Sequence, residues 1–495
     1  MVSRMKILLK SYKDVLCNNV KGIFVFEDKA EEFCSELNLT IKCLKDANQF
    51  YGKTGEIYTL TNVINGKVEK IIFAGLGETD KFNVDIMRNV TSKLIKEVIS
   101  QKLSNIDIHI NKAIDVSGKT IEVIAESSVM STYKFDKYKS DREDILLNTV
   151  NIVLHDDKNI DLLKSSLEEG VFIAEGNLLS RFLVNEPANN LTPADLAKHV
   201  IRIGSEVGFE VEVFDRKEIE NLGMEAFISV GKGSANEPKF IVMRYLGNPD
   251  NENDILGLVG KGLTFDAGGY CLKTPGGMWE MKSDMGGAGA VVGAMSIIAK
   301  MKLKKNVIAV IAACENLISG EAYRPGDILN TMNGKTIEIL NTDAEGRLTL
   351  IDAVTYIIRK ENVNKVVDIA TLTGAVGRAI GNAATGIVSN SDEFYAQLEL
   401  ASKACDEQVW RFPIFEEYRE ILESGNADLV NSTGSTGGGA ITAGMFIGEF
   451  VEGKPWLHLD IAATAFADGK PNREYFSKGS TGIGARLLYQ LAKIN

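Results

Sequence analysis

Two apolar patterns alternate along this chain, and they predict different elements. Apolar-rich runs at 240–243, 255–259, 307–312, 366–370 and 456–461 read as buried strands. Between them, apolar residues at helical spacing predict helices over 193–207, 285–302 and 348–359. Such alternation implies a sheet with substantial parallel pairing and helices on both faces. Asn333-Gly334 reads as the turn of a hairpin whose second arm is 336–340.

The earlier part of the chain repeats the theme, with strand-like runs at 22–26, 69–74, 106–110 and 150–154 and a helical pattern at 84–100. The Leu-, Glu- and Ala-rich stretch 157–182 reads as a helix leading into the second part. The expected architecture is α/β throughout: a smaller N-terminal α/β domain, residues 1–165, and a larger C-terminal α/β/α domain, residues 166–495.

Composition narrows the function classes. At 45% hydrophobic and 25% charged, the 495 residues can build large cores without low-complexity tails. With 67 acidic against 55 basic residues, the net charge of -12 opposes general nucleic-acid binding. The N-terminal ten residues alternate charge with apolar groups and contain no signal-like apolar core. No stretch is apolar for the roughly 18 residues a membrane span needs. A soluble, cytoplasmic protein is therefore expected. The six cysteines form no Cys-x-x-Cys pair and read as reduced thiols. None of the four histidines lies in a His-Glu-x-x-His pattern, and no Gly-x-Ser-x-Gly elbow occurs. His458 alternates with apolar residues in a strand and reads as a core residue.

Candidate chemistry lies elsewhere. In Asn341-Thr342-Asp343-Ala344-Glu345-Gly346-Arg347-Leu348, an extended backbone would put Asp343, Glu345 and Arg347 on one face, about 6 to 7 Å apart. An acidic turn ahead of a helix is the plainer reading. Upstream, the run 255–259 leads into a glycine-rich loop carrying Lys261, Asp266 and Lys273, then Asp284 before a predicted helix. Asp284 on its own would serve as a helix cap. Four carboxylates gathered in strand-end loops would repel unless some protonate or cations balance them. Two divalent cations would do so, in the manner of dimetal hydrolases.

The loops Lys261-Gly262-Leu263-Thr264-Phe265-Asp266 and 341–348 together resemble the two signatures of the leucyl aminopeptidase family, the cytosol aminopeptidases (peptidase M17). Supporting matches are Leu183 to Asn189, Ala370 to Ala375, Gly438 to Gly444 and Trp456 to Ala462. The first 160 or so residues carry no comparable motif. The resemblance implies a large, mixed, largely parallel central sheet in the C-terminal catalytic domain. It implies two divalent metals (manganese, zinc or cobalt), with Asp266 and Glu345 bridging both, Lys261 and Asp284 completing one site and Asp343 the other. It further implies that a dimetal-bound hydroxide attacks the first peptide carbonyl, with Lys273 stabilising the oxyanion and Arg347 holding a bicarbonate that shuttles the proton. Met281, Asn341, Ala370, Thr371, Leu372 and Gly374 would line or flank the pocket for the first side chain, favouring Leu- or Met-like residues. Peptide substrates and a homohexamer follow from the same resemblance, with no membrane partner. Alternatives from other classes are an inactive regulatory relative, an accessory DNA-binding role, and a dimetal enzyme acting on phosphate esters.

Overall fold

The computed structural model describes residues 5–14, 19–29, 35–64, 66–110, 114–155, 160–434, 437–467, 469 and 473–495; Cys17 and Cys34 lie outside them. The chain forms two compact units, residues 1–178 with 469–477, and residues 179–468 with 478–495.

In the first unit, β1 (Lys6–Ser11), β2 (Val20–Phe26), β3 (Ile57–Ile64), β4 (Lys67–Gly77), β5 (Asn105–Ile110) and β6 (Thr149–Leu154) make one sheet ordered β1-β6-β5-β2-β4-β3. Every neighbouring pair is parallel except the β3–β4 hairpin. Phe24, Ile72, Ile106 and Ile152 are fully buried beneath Leu94 and Ile95 of the helix Val84–Ser100. The helix Ile160–Asn185 then carries the chain into the second unit, and the expected boundary near residue 165 falls within it.

The second unit is built on eight strands: β7 (Glu210–Phe214), β8 (Lys239–Leu246), β9 (Ile255–Asp266), β10 (Asn306–Asn316), β13 (Lys365–Ala370), β14 (Thr385–Ser389), β15 (Val409–Arg411) and β17 (Trp456–Asp460). Their order is β15-β14-β17-β13-β9-β10-β8-β7. The four central strands β17, β13, β9 and β10 are mutually parallel, whereas β8 and β14 join antiparallel. This is the expected mixed, largely parallel sheet. A small sheet of β11 (Ile328–Asn330), β12 (Thr336–Glu338) and β16 (Leu429–Val430) lies beside it in sequence, and the β11–β12 hairpin turns through Gly334 at φ 97° as expected.

Helices cover both faces of β9. A Cβ on Gly257 would meet Ile357 of the helix Gly346–Arg359, whereas one on Gly260 would meet Ala288 of the helix Gly286–Lys300. Alternation along the strand therefore aims Lys261 toward the first of these helices. The connection leaving β9 runs to β10 on one side and the connection leaving β13 runs to β14 on the other, which makes the adjacent carboxyl ends of β9 and β13 a topological switch point. β9 also outruns β13, pairing with it only as far as Gly260. Lys261 to Asp266 are thus free to build a site beyond the end of β13.

The helix Gly286–Lys300 approaches the sheet so closely that a Cβ on Gly287 would lie 2.0 Å from the Ile369 carbonyl oxygen. A backbone atom cannot be displaced cheaply, so Gly287→Ala should destabilise the protein by about 1–3 kcal/mol. Gly276→Ala, at a position with nothing within 4 Å, should stay within about 0.5 kcal/mol of the parent. Urea unfolding midpoints of the two variants check this contrast.

Candidate functional site

Asp266 is aimed by an irregularity in its own strand. Leu263 pairs with Cys314 and Phe265 with Glu315, so Thr264 is an extra residue in β9. An inserted residue reverses the alternation beyond it, and Asp266 turns to the side that Lys261 already faces. Oxygens of Asp266, Asp343 and Glu345 consequently come within 4.8 Å of one another.

The segment 341–347 differs from the extended strand considered above. It turns, with the Ala344 N–H donating to the Asn341 carbonyl at 3.2 Å, and enters the helix Gly346–Arg359 directly after Glu345. Glu345 and Arg347 thus stand two positions apart at a helix start and do not share a face as an extended backbone would have given. Gly346 is required by this approach, because a Cβ there would sit 2.5 Å from Cε of Lys261. Asp284 also departs from the capping alternative. It lies in the 3-10 turn Met281–Met285, and the following helix has Met285 at its N-cap without a side-chain cap bond.

Two lysines hold the carboxylates together. Lys261 Nζ lies 2.8 Å from Asp284 Oδ1 and 2.9 Å from Glu345 Oε1. Lys273 Nζ lies 2.7 Å from Asp266 Oδ2 and 2.5 Å from Asp343 Oδ1. Thr371 connects to the first cluster, its hydroxyl donating to Asp284 Oδ1 at 2.9 Å and its carbonyl accepting from Lys261 Nζ at 3.1 Å. Met281, Asn341, Leu372 and Gly374 sit on these same loops, whereas the Ala370 side chain is packed in the core.

Burial sets the electrostatics. It pushes the Asp284 carboxyl up to about 6 against the pull of Lys261. Asp266 rises well above the carboxylate range through burial and the neighbouring Glu345 and Asp284. Burial opposes a charged Glu345 too, but Lys261 and Lys273 outweigh it and hold that carboxylate ionised. Burial likewise opposes the charge on Lys261, and Asp284, Glu345 and Asp266 outweigh it, so the ammonium is held charged. Two ammoniums thus face four carboxylates. Asp284 Oδ2 and Glu345 Oε2 are buried without a hydrogen-bond partner. Oxygen-rich, negatively charged and partly unsatisfied, this donor set fits divalent cations.

Arg347 stands apart from the ion pairs. Burial lowers its guanidinium pKa to about 10, and Nη1 donates to the Asn431 carbonyl at 2.8 Å. Sequence reasoning missed the residues that lock the loops. Asn316 Nδ2 donates to Asp266 Oδ1 at 2.8 Å and to the Thr342 carbonyl at 3.0 Å, and the Thr342 hydroxyl donates to the Gly268 carbonyl at 2.7 Å. Asp460 accepts the Thr373 hydroxyl at 2.6 Å and the Leu372 N–H at 3.2 Å. Asp460 falls in the matched segment 456–462, so its signal was present; Asn316 and Asn431 had none. Cys271 donates its N–H to the Thr342 hydroxyl at 2.8 Å. His458 is fully buried with Nδ1 2.5 Å from Asp368 Oδ1, the core placement expected of it.

Residues 178–489 match the model of the cytosol aminopeptidase family catalytic domain, and residues 23–142 match that of the family's N-terminal domain. A "Probable cytosol aminopeptidase" of Clostridium perfringens is 49% identical over 482 residues, covering 96% of this chain and 97% of that protein. One of Alkaliphilus oremlandii is 42% identical, covering 99% of each chain. Among solved structures, the "Bottromycin maturation enzyme BotP in complex with Mn" superposes with a TM-score of 0.85 at 29% identity, covering 96% of this chain and 99% of that one.

If the site is built for cations, ligand linkage should appear in stability. Manganese at a hundred times its dissociation constant should stabilise the protein by about 2.7 kcal/mol. Glu345→Ala should abolish most of that gain, and thermal unfolding with and without metal measures it.

Proposed function

From the premise that the chain belongs to the cytosol aminopeptidase family, a family of metal-dependent N-terminal exopeptidases, we propose that it releases Leu- or Met-like residues from peptide N-termini using two divalent cations. The observation that carries this reading is the convergence of Asp266, Asp343 and Glu345 beside Lys261 and Lys273 at the carboxyl edge of the sheet. Asp266 and Glu345 would hold both cations, Lys261 and Asp284 one of them, and Asp343 the other. Manganese, zinc and cobalt all suit such ligation. When bound, the cations would supply Lewis acidity and lower the pKa of a water toward neutrality.

The remaining chemistry belongs to the chain. Lys261 must lose its proton to ligate, so the ammonium now paired with Asp284 and Glu345 would exchange a proton for a cation. Lys273, relieved of part of its pairing with Asp266 and Asp343, would donate to the oxyanion that forms on the first peptide carbonyl. Arg347 would hold bicarbonate as the proton-shuttling anion, a role that suits a planar donor whose Nε has no partner. The Leu372 carbonyl would accept from the substrate amine, on a loop fixed by Asp460. Met281, Asn341, Thr371 and Gly374 would shape the first side-chain pocket, with Ala370 flanking it from the core and flexible Met281 favouring unbranched and leucine-like groups. A homohexamer acting on peptides in the cytoplasm completes the reading.

Leucyl and methionyl anilides, assayed beside a phosphoester after chelation and metal return, test the activity; release of the amine alone is expected. Lys261→Arg should lose one metal per chain by elemental analysis, because a guanidinium stays protonated and cannot ligate. Arg347→Ala should keep both metals while kcat falls by about 100-fold or more. An Arg347→Ala enzyme at full rate would remove the proposed proton route.

A further inference from the structure

Asn431 follows β16 and is fully buried, yet no motif drew attention to it. Its backbone N–H donates to the Glu338 carbonyl at 3.1 Å, which ties the residue to β12 independently of the metal loops. From that anchor its side chain reaches across to the segment 340–344. Oδ1 accepts the N–H groups of Leu340 at 2.9 Å and Asn341 at 3.2 Å. Nδ2 donates to the carbonyls of Asn341 at 2.6 Å and Ala344 at 3.4 Å. The Asn431 carbonyl then accepts from Arg347 Nη1 at 2.8 Å.

We propose that Asn431 is a positioning residue, setting the 340–347 loop and aiming the Arg347 guanidinium, a role that rests on the aminopeptidase reading above. The chemistry explains why an amide stands there. Two N–H groups need an acceptor and two carbonyls need a donor, and among side chains of this size only a primary amide offers both. Aspartate would match the shape but leave the carbonyls of Asn341 and Ala344 without a donor. It would also add a negative charge beside a cluster that already holds Asp343 and Glu345. An apolar residue would deprive the N–H groups of Leu340 and Asn341 and the carbonyls of Asn341 and Ala344 of these partners.

The hold on Arg347 is also selective. Among the described residues it pairs with no carboxylate, its Nη1 is fixed by Asn431, and its Nε is buried without a partner. One arm of the guanidinium is therefore set by the main chain, leaving the rest of the fork open. Asp343, Glu345 and Arg347 share the segment that Asn431 clamps, but Lys273 and Lys261 hold the two carboxylates while Asn431 bonds Arg347 directly, so loss of the clamp displaces the guanidinium first.

Asn431→Asp and Asn431→Ala in the full chain, loaded with manganese, test the assignment. We expect both to retain the parent's metal content while kcat on leucyl anilide falls by about 100-fold and KM changes less than about threefold, as befits a misplacement of catalytic groups. Hydrogen exchange at Leu340 and Asn341 should accelerate in both. In an Arg347→Ala background, Asn431→Asp should cost less than about threefold more, because the two act through one unit. Retention of kcat, or losses that multiply fully with Arg347→Ala or simply follow a loss of metal or fold, would overturn the role while the parent remains active. A parent enzyme that releases no N-terminal residue would overturn the aminopeptidase reading and this role with it.

Discussion

The structure is organised around the cost of burying carboxylates together. Asp266, Asp284 and Glu345 are 1%, 5% and 2% exposed, and Asp343 adjoins them. Removing that much negative charge from water is tolerable only if protons or cations neutralise it. Lys261 and Lys273 supply two positive charges against four negative ones, and two buried carboxylate oxygens remain unpartnered. Cations supply the missing charge more completely than protonation, because they also satisfy those oxygens.

Such a cluster would spread apart if it were carried on mobile loops, and the fold prevents this in several places. The extra residue in β9 turns Asp266 toward Lys261, and the close passage of Lys261 over Gly346 sets its approach to Glu345. Asn316 and Thr342 bind the two signature loops to each other, while Asp460 ties the Thr371–Thr373 turn to β17. Each contact is a hydrogen bond between buried groups, where leaving a partner unsatisfied costs about 1–3 kcal/mol. The scaffold is a parallel sheet whose strand ends are already the natural place for loops, which is why charged groups concentrate there at little expense to the core.

Much of this was legible in the chain. The buried strands β9, β10, β13 and β17 announced themselves as apolar-rich runs, and the clustered carboxylates and lysines by their types and order. What escaped was whatever lacks a period. β1 reads KILLKS, an edge strand whose apolar stretch is only three residues long between lysines and too short to stand out. The irregularity at Thr264 has no signature in composition, yet it decides which way Asp266 points. The segment 343–347 has the alternation of a strand but folds as a turn into a helix, because Glu345 takes helical dihedrals at φ -77° and ψ -36°. Asn316 and Asn431 act through single amides distant in sequence, and nothing in their own neighbourhoods marks them.

Whether the buried carboxylates hold two cations can be seen by anomalous diffraction at the manganese edge, from crystals of the full chain grown with manganese. Two peaks per chain are expected among Lys261, Asp266, Asp284, Asp343 and Glu345. Data showing no peak there, with the lysine–carboxylate pairs intact at saturating manganese, would contradict a two-cation site.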